Sequence, residues 1–417
     1  MRRLWYNSII VRCIIHSDLC NFYASVECML KPSLKDVPLV VGGDETKRHG
    51  IVLAKNPLAK AKGIKTGDTL WEARRKEPSI VIVPPHFDTY MHYSQLANEI
   101  YIRYTSKVEA YGADECWLDV TNSKKLFGSG KEIADDIRKI IKQELGLTVS
   151  CGVSFNKIFA KLASDMADPD ATLEITKDNF KEKLYNLPCD KLMGIGRKTY
   201  PKLLDYNIRT IGDLALANPI MMKRNFGING LKMIQFAKGE DNEPVREYVE
   251  SREMQSIGHG MTATKDIVTY DDSDTVIYYL ADLVARRMRR TGVQGKGVAV
   301  GLRDSNLESI TRQTKLIFDI SNATQIAKAA IQLTRDNWNR SLPLRTITVS
   351  VFNLSMIGSE SQISMFEQTD NRPARLDAAL DTIRSRYGYD KIIRANLIER
   401  DFIYDKSDAE DFLPFMR

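Results

Sequence analysis

Three carboxylates in two short strings carry the chemistry open to this chain. Asp18 follows the apolar run in IIHSDLCNFYASVE, and Asp114 with Glu115 lies inside VEAYGADECWLDV. Each string joins strand-like apolar residues to a carboxylate, which is how a sheet presents hard oxygen ligands to Mg²⁺ ions shared with substrate phosphates. The chemistry this implies is two-metal phosphoryl transfer. Taken singly, each string has a plainer reading, Asp18 as the cap of a helix starting near Phe22 and Asp114-Glu115 as an acidic turn. Strand alternation would also place the adjacent Asp114 and Glu115 on opposite faces, so one site can use both only if the turn twists them together.

The elements that must hold these residues follow from periodicity. Residues 12–30 read as a strand, a tight acidic turn and a helix with Phe22, Val26 and Met29 at helical spacing. An insert over 31–90 carries apolar runs at 37–41, before Gly42-Gly43, and at 80–83, before Pro84-Pro85. A helix over 89–108 leads to the acidic hairpin. A second helix, with Ile133, Ile137, Ile140 and Ile141, passes through Gly146 into a strand at 147–153. Two strand-helix units flanking a hairpin predict a βαββαβ unit. Residues 176–240 read as short helices. Beyond Pro244, strands at 298–302, 315–320 and 346–352 alternate with helices at 274–290 and 323–338, a ββα-like unit. A polar linker, the string QISMF and a helix at 376–387 follow.

Composition bounds the class without deciding it. At 417 residues with 43% hydrophobic and 27% charged side chains, the chain reads as a soluble globular protein of several domains. No stretch approaches a membrane span, and the opening MRRLWYNSIIVRCII is interrupted by Asn7 and Arg12 and lacks a small-residue cleavage pattern, so it reads as the entry to the first strand. The six cysteines (13, 20, 28, 116, 151 and 189) form no CxxC pair, which argues against a zinc site or disulfide framework and fits a reducing cytoplasm. A net charge of +6 permits nucleic-acid binding without demanding it.

The two acidic strings, together with SCGVSFNKIFAKLASDMADP at 150–169 and IGRKTYPKLLDYNIRTIGDL after it, resemble in order and spacing the Y-family translesion DNA polymerases. The match is to the UmuC/DinB-like group, in its Gram-positive and mobile-element branch, and spans nearly the whole chain. The resemblance implies an α+β right-hand polymerase with a ferredoxin-like palm (1–30 and 91–175), small fingers (31–90), a thumb with a helix-hairpin-helix (176–243), a little finger (244–356) and a C-terminal tail with a clamp-binding motif (357–417). It implies template-directed translesion synthesis in DNA damage tolerance and the SOS response, without proofreading. Primer-template DNA, dNTPs, two Mg²⁺ ions and a bacterial sliding clamp would be the partners of a cytoplasmic, nucleoid-associated monomer.

Residue by residue, the resemblance makes Asp18 and Asp114 the bridging carboxylates, Glu115 a ligand on the primer side, and the Leu19 carbonyl a ligand on the nucleotide side. Tyr23 takes the steric-gate position beside Phe22, and Lys161 matches a lysine that contacts the triphosphate. Where many relatives carry Tyr-x-Ala-Arg, this chain has Pro57, Leu58, Ala59 and Lys60, so Lys60 offers a point charge in place of a guanidinium fork. Asp168-Pro169-Asp170 also departs from the usual Lys-Pro-Asn/Asp-Gly. Gly194 and Gly196 resemble a hairpin turn whose backbone meets a DNA phosphate. Arg286, Arg287, Arg289 and Arg290, with Lys315 and Arg345, are candidate backbone contacts. Gln362, Met365 and Phe366 fit the pentapeptide that docks on the sliding clamp. Two rivals stand beside this reading: a catalytically weak DNA- and clamp-binding repair factor, suggested by Pro57 and Lys60, and a nucleotide cyclase, against which the thumb turn and clamp string argue.

Overall fold

The computed structural model describes residues 11–43, 50–248, 254–357, 372–388 and 391–395. Contacts divide them into two compact units, one of residues 11–43 and 51–248, the other of Gly50 and the residues from 254 onward.

In the first unit, β1 (Ile14–Leu19) is buried nearly end to end, and Asn21, in the left-handed conformation at φ 49, turns the chain into α1 (Phe22–Leu30). Asparagine tolerates that conformation better than other residues with a Cβ, which lets the turn be this tight. The insert then folds as β2 (Leu39–Gly42), β3 (Val52–Lys55), α2 (Pro57–Ala61), α3 (Leu70–Lys76) and β4 (Val81–Val83), with sheet order β3-β2-β4. Its central strand is apolar without a break because both faces are covered. Leu39 and Val41 join the core beneath α1, whereas Val40 packs with Val52, Ile64 and Leu70.

Next come α4 (Phe87–Tyr101), β5 (Val108–Ala110), β6 (Glu115–Asp119), α5 (Lys124–Phe127), α6 (Gly130–Leu145), β7 (Val149–Ser154), α7 (Lys157–Met166) and β8 (Thr172–Glu174). The helix expected over 89–108 stops at Tyr101. Thr105 Oγ1 instead donates to the Asp119 carbonyl at 2.9 Å and accepts from Lys107 N–H, which diverts the backbone into the hairpin. The sheet order is β5-β6-β1-β7-β8. With α4 and α6 as its helices, the first four of these strands in chain order give the expected ferredoxin-like βαββαβ arrangement, extended by β8, which pairs parallel to β7.

Four helices complete this unit: α8 (Phe180–Leu184), α9 (Tyr200–Leu204), α10 (Ile211–Leu216) and α11 (Pro219–Ala237). They bury one core with Ile158, Phe159 and Leu162 of α7, so α7 is shared between the sheet and the helical bundle.

The second unit runs β9 (Ser256–Ile267), α12 (Tyr270–Arg290), β10 (Val293–Asp304), β11 (Ser309–Ile320), α13 (Ala323–Asn337) and β12 (Leu344–Met356). Its antiparallel sheet has the order β11-β10-β12-β9. The arrangement is βαββαβ, not the ββα-like unit expected, because β9, with Gly258, His259 and Gly260 in its first half, lacks a clear apolar alternation yet pairs with β12 along its length. A last helix, α14 (Arg372–Tyr387), belongs to this unit. It is bound by Arg384 to Asp282, both 1% exposed, and by Asp377 and Asp381 to Arg289.

Candidate active site

Asp18 is the fifth residue of β1, and the antiparallel register places it directly opposite Glu115 of β6. Asp114 precedes that strand and lies in the turn, where its carbonyl accepts from Leu19 N–H at 2.9 Å. Alternation therefore never acts between Asp114 and Glu115: the turn, closed by Tyr111 N–H on the Glu115 carbonyl, brings both to the Asp18 end of β1.

Electrostatics show how close the three groups are. Burial first, then the charges of Glu115 and Asp114, push the Asp18 carboxyl up to about 7. Asp114 is raised by burial and by Glu115. Burial raises Glu115 as well, but the adjacent His16 ring and the Lys161 ammonium outweigh it and hold it at about 2.

Lys161 reaches Glu115 because α7 lies unusually close to β7. A Cβ on Gly152 would sit 2.0 Å from the Ala160 carbonyl oxygen, so only glycine admits the helix at that depth. From there Lys161 Nζ bonds Glu115 Oε2 at 2.6 Å, and Ser164 Oγ lies 2.7 Å from His16 Nδ1. The other ring nitrogen of His16 is 3.3 Å from Glu115 Oε2, without hydrogen-bond geometry. Sequence reading passed over His16, although it stands two residues before Asp18 and so faces the same side of the strand.

Among the described residues no three metal-ligating side chains form a finished cage. The donor set still suits Mg²⁺: hard carboxylate oxygens, with the Asp18 and Asp114 carboxyls raised by burial and then by the charge of Glu115, a cost that a cation would relieve, and with positions left for substrate phosphate.

Tyr23 stands one residue into α1 beyond Phe22, which at 3% exposure packs in the core and does not present its ring to a nucleotide. The Tyr23 ring stacks on Tyr90 with centroids 4.3 Å apart and planes at 12°, and Phe87 meets both rings edge-on. Tyr90 is fixed in turn by its hydroxyl on buried Glu27 at 2.5 Å, and His86 Nδ1 lies 2.8 Å from the same oxygen. No sequence signal joins Tyr90 to Tyr23.

Pro57 occupies the first turn of α2, where its missing N–H costs nothing, and Asn56 caps the helix by accepting from Ala59 N–H at 2.9 Å. Lys60 is exposed on α2, and its charge adds to burial in lowering the neighbouring Lys55, a second cation that sequence reading missed. Asp170, at φ 57, bonds Arg138 and Lys142 of α6, so its charge serves the fold; Asp168 lends its carbonyl to Ser150 Oγ.

Gly194, at φ 90, and Gly196 have open space where a Cβ would be. The four arginines of α12, all candidate backbone contacts, differ in exposure. Arg287 is buried and donates to the Gly258 carbonyl, and Arg289 is engaged by Asp377 and Asp381, because α14 covers that end of the helix. Arg286 is half-buried, whereas Arg290 and Lys315 are exposed and Arg345 partly so. Gln362, Met365 and Phe366 lie outside the described residues.

The impB/mucB/samB family model matches residues 17–165 and its C-terminal domain model residues 254–365. DNA polymerase IV of Acetivibrio thermocellus is 42% identical over 390 residues, covering 93% of this chain and 98% of that protein. The chain belongs to the Y family of DNA polymerases. It is a DNA-directed DNA polymerase of α+β right-hand architecture, which removes the cyclase rival. DNA polymerase IV of Clostridium acetobutylicum is 36% identical, covering 88% of this chain and 92% of the relative. A Y-family DNA polymerase chimera of Dbh and Dpo4 superposes with TM-score 0.75 at 25% identity, over 82% of this chain and 99% of the other. DinB from Sulfolobus solfataricus superposes at 0.55, also at 25% identity.

Proposed function

We propose that this Y-family polymerase copies damaged template at a site formed by Asp18, Asp114, Glu115 and the Leu19 carbonyl. The observation that carries the reading is the cross-strand pairing of Asp18 with Glu115 beside the Asp114 turn. Two Mg²⁺ ions held there would stabilise the attacking and leaving oxygens of the displacement. The chain's own groups do the rest. Tyr23, backed by Tyr90, lies under the sugar, and Lys161, Lys60 and Lys55 supply positive charge for the triphosphate. Gly194 and Gly196, with Arg290, Lys315 and Arg345, hold the DNA backbone. Primer extension on undamaged and abasic templates with purified protein and Mg²⁺ tests the whole reading; no extension on either would overturn it.

The division into palm, fingers, thumb, little finger and tail at 30, 90, 175, 243 and 356 is part of the same proposal, as are SOS-linked expression, absence of proofreading and action as a cytoplasmic monomer at the nucleoid. No helix among the described residues is long and apolar enough to cross a membrane.

Lys161 has a carboxylate partner in this structure and would exchange it for phosphate oxygens once Glu115 is engaged by metal. Lys161→Ala is expected to weaken dNTP binding by about tenfold in single-turnover titrations, since a charge-assisted bond is lost. Lys60→Arg is expected to hold or improve affinity by supplying a fork. Unchanged dNTP affinity in Lys161→Ala would remove the residue from the nucleotide site.

For QISMF we propose docking on the sliding clamp, with Met365 and Phe366 filling an apolar pocket and Gln362 fixing the register. Replacing Met365 and Phe366 together by Ala should spare distributive synthesis and remove clamp stimulation, on the order of a hundredfold in effective concentration. Undiminished capture by purified clamp would count against the assignment, and so would a lowered melting temperature.

A further inference from the structure

Trp71 is 62% exposed, whereas Trp117 and Trp338, the other described tryptophans, are 2% and 6% exposed. An indole left in water forfeits a large burial gain, so its mounting is informative. It stands on α3, whose neighbours Leu70 and Ala73 are buried in the small core of the insert. A reciprocal capping box between Thr69 and Glu72 fixes the helix start, and a bridge between Thr69 and Ile51 ties that end to the rest of the insert. One turn on, the Arg75 guanidinium lies over the Trp71 ring, 4.8 Å from its centroid. The ring is thus held outward on a rigid base, with a cation beside it.

The surroundings are basic. Residues 55–77 contain seven lysines and arginines against three acids. Each acid is engaged within the insert: Asp68 with Lys76 at 2.5 Å, Glu77 with Lys62 at 2.9 Å, and Glu72 in the helix cap. A fixed aromatic plane with a stacked arginine on a positively charged surface is the chemistry that binds single-stranded nucleic acid without reading its sequence.

We propose that Trp71 and Arg75 form a stacking platform for the unpaired template strand ahead of the site of synthesis. A base lies against the indole and Arg75 meets an adjacent phosphate. The inference rests on the polymerase reading, because a template-directed enzyme carries such a strand on every substrate.

The test compares primer-templates whose template overhang is a single nucleotide or about ten nucleotides, a span typical of single-strand sites. Trp71→Ala is expected to bind the long-overhang substrate about fivefold to tenfold more weakly than wild type, the loss of one stacked base, with affinity for the short-overhang substrate unchanged. Trp71→Phe should retain most of the affinity, and Arg75→Met should lose a smaller factor with a shallower salt dependence. The long overhang should also quench wild-type tryptophan emission more than that of Trp71→Phe. Equal affinities of wild type and Trp71→Ala for the long overhang would overturn the platform, as would an equal loss on both substrates. A lowered melting temperature of Trp71→Ala would overturn it too, by assigning the ring to the fold. Extension of the short-overhang substrate by wild type keeps the outcomes apart: its failure sinks the polymerase reading, whereas its success with no overhang effect sinks only the platform.

Discussion

Asp114→Ala is expected to abolish Mg²⁺-dependent primer extension, by roughly a thousandfold or more, because several kcal/mol of charge stabilisation at the reacting oxygens would be lost. Asp18→Asn should do the same while making the metal-free protein more stable. The folded Asp18 carboxyl titrates near 7, above the ordinary aspartate range, because burial and two neighbouring carboxylates oppose its charge. A raised folded pKa contributes stability that is present at acid pH and is lost as pH rises through the folded value. In EDTA, the wild type should therefore weaken between about pH 4 and pH 7 by roughly 1–3 kcal/mol, a range discounted for partial solvent access, and Asp18→Asn should show less of that loss. Thermal melts across this window, beside extension assays, read both effects. Full extension by Asp114→Ala would end the metal-site assignment, and an Asp18→Asn melt curve parallel to wild type would end the electrostatic account.

Tyr23→Ala is expected to raise the ratio of ribonucleotide to deoxyribonucleotide incorporation on the order of a hundredfold, mostly through faster rNTP use. The ring rejects a hydroxyl by volume, and its rejection depends on being unable to retreat. Stacking on Tyr90, which is tied to buried Glu27, removes that freedom. Tyr90→Ala should relax selectivity in the same direction by a smaller factor, since Tyr23 remains but can move. Single-turnover incorporation of matched rNTP and dNTP decides the matter: a ratio unchanged in Tyr23→Ala would show that the sugar is policed elsewhere.

The sequence by itself determined the local grammar of this protein. Apolar runs adjoining Asp18 and Glu115 specified strands with carboxylates near their ends. The βαββαβ order of the palm followed from periods of about two and 3.6, which short windows record. Membership of the family was likewise legible, because its motifs are contiguous strings.

What only the tertiary structure decided are contacts between residues remote in sequence. Whether Asp114 and Glu115 can serve one site depended on where β6 begins, and the pairing with β1 set that point. Lys161 meets Glu115 because Gly152 lets α7 approach the sheet, a close approach that no property of Lys161 encodes. Tyr90 backs Tyr23 across the packing of α4 on α1. The arginines of α12 read alike as candidates for DNA contact, whereas α14, far along the chain, sets two acids against Arg289. In each case the local pattern fixes which way a side chain can point, while the partner it meets depends on the register and depth at which distant elements pack.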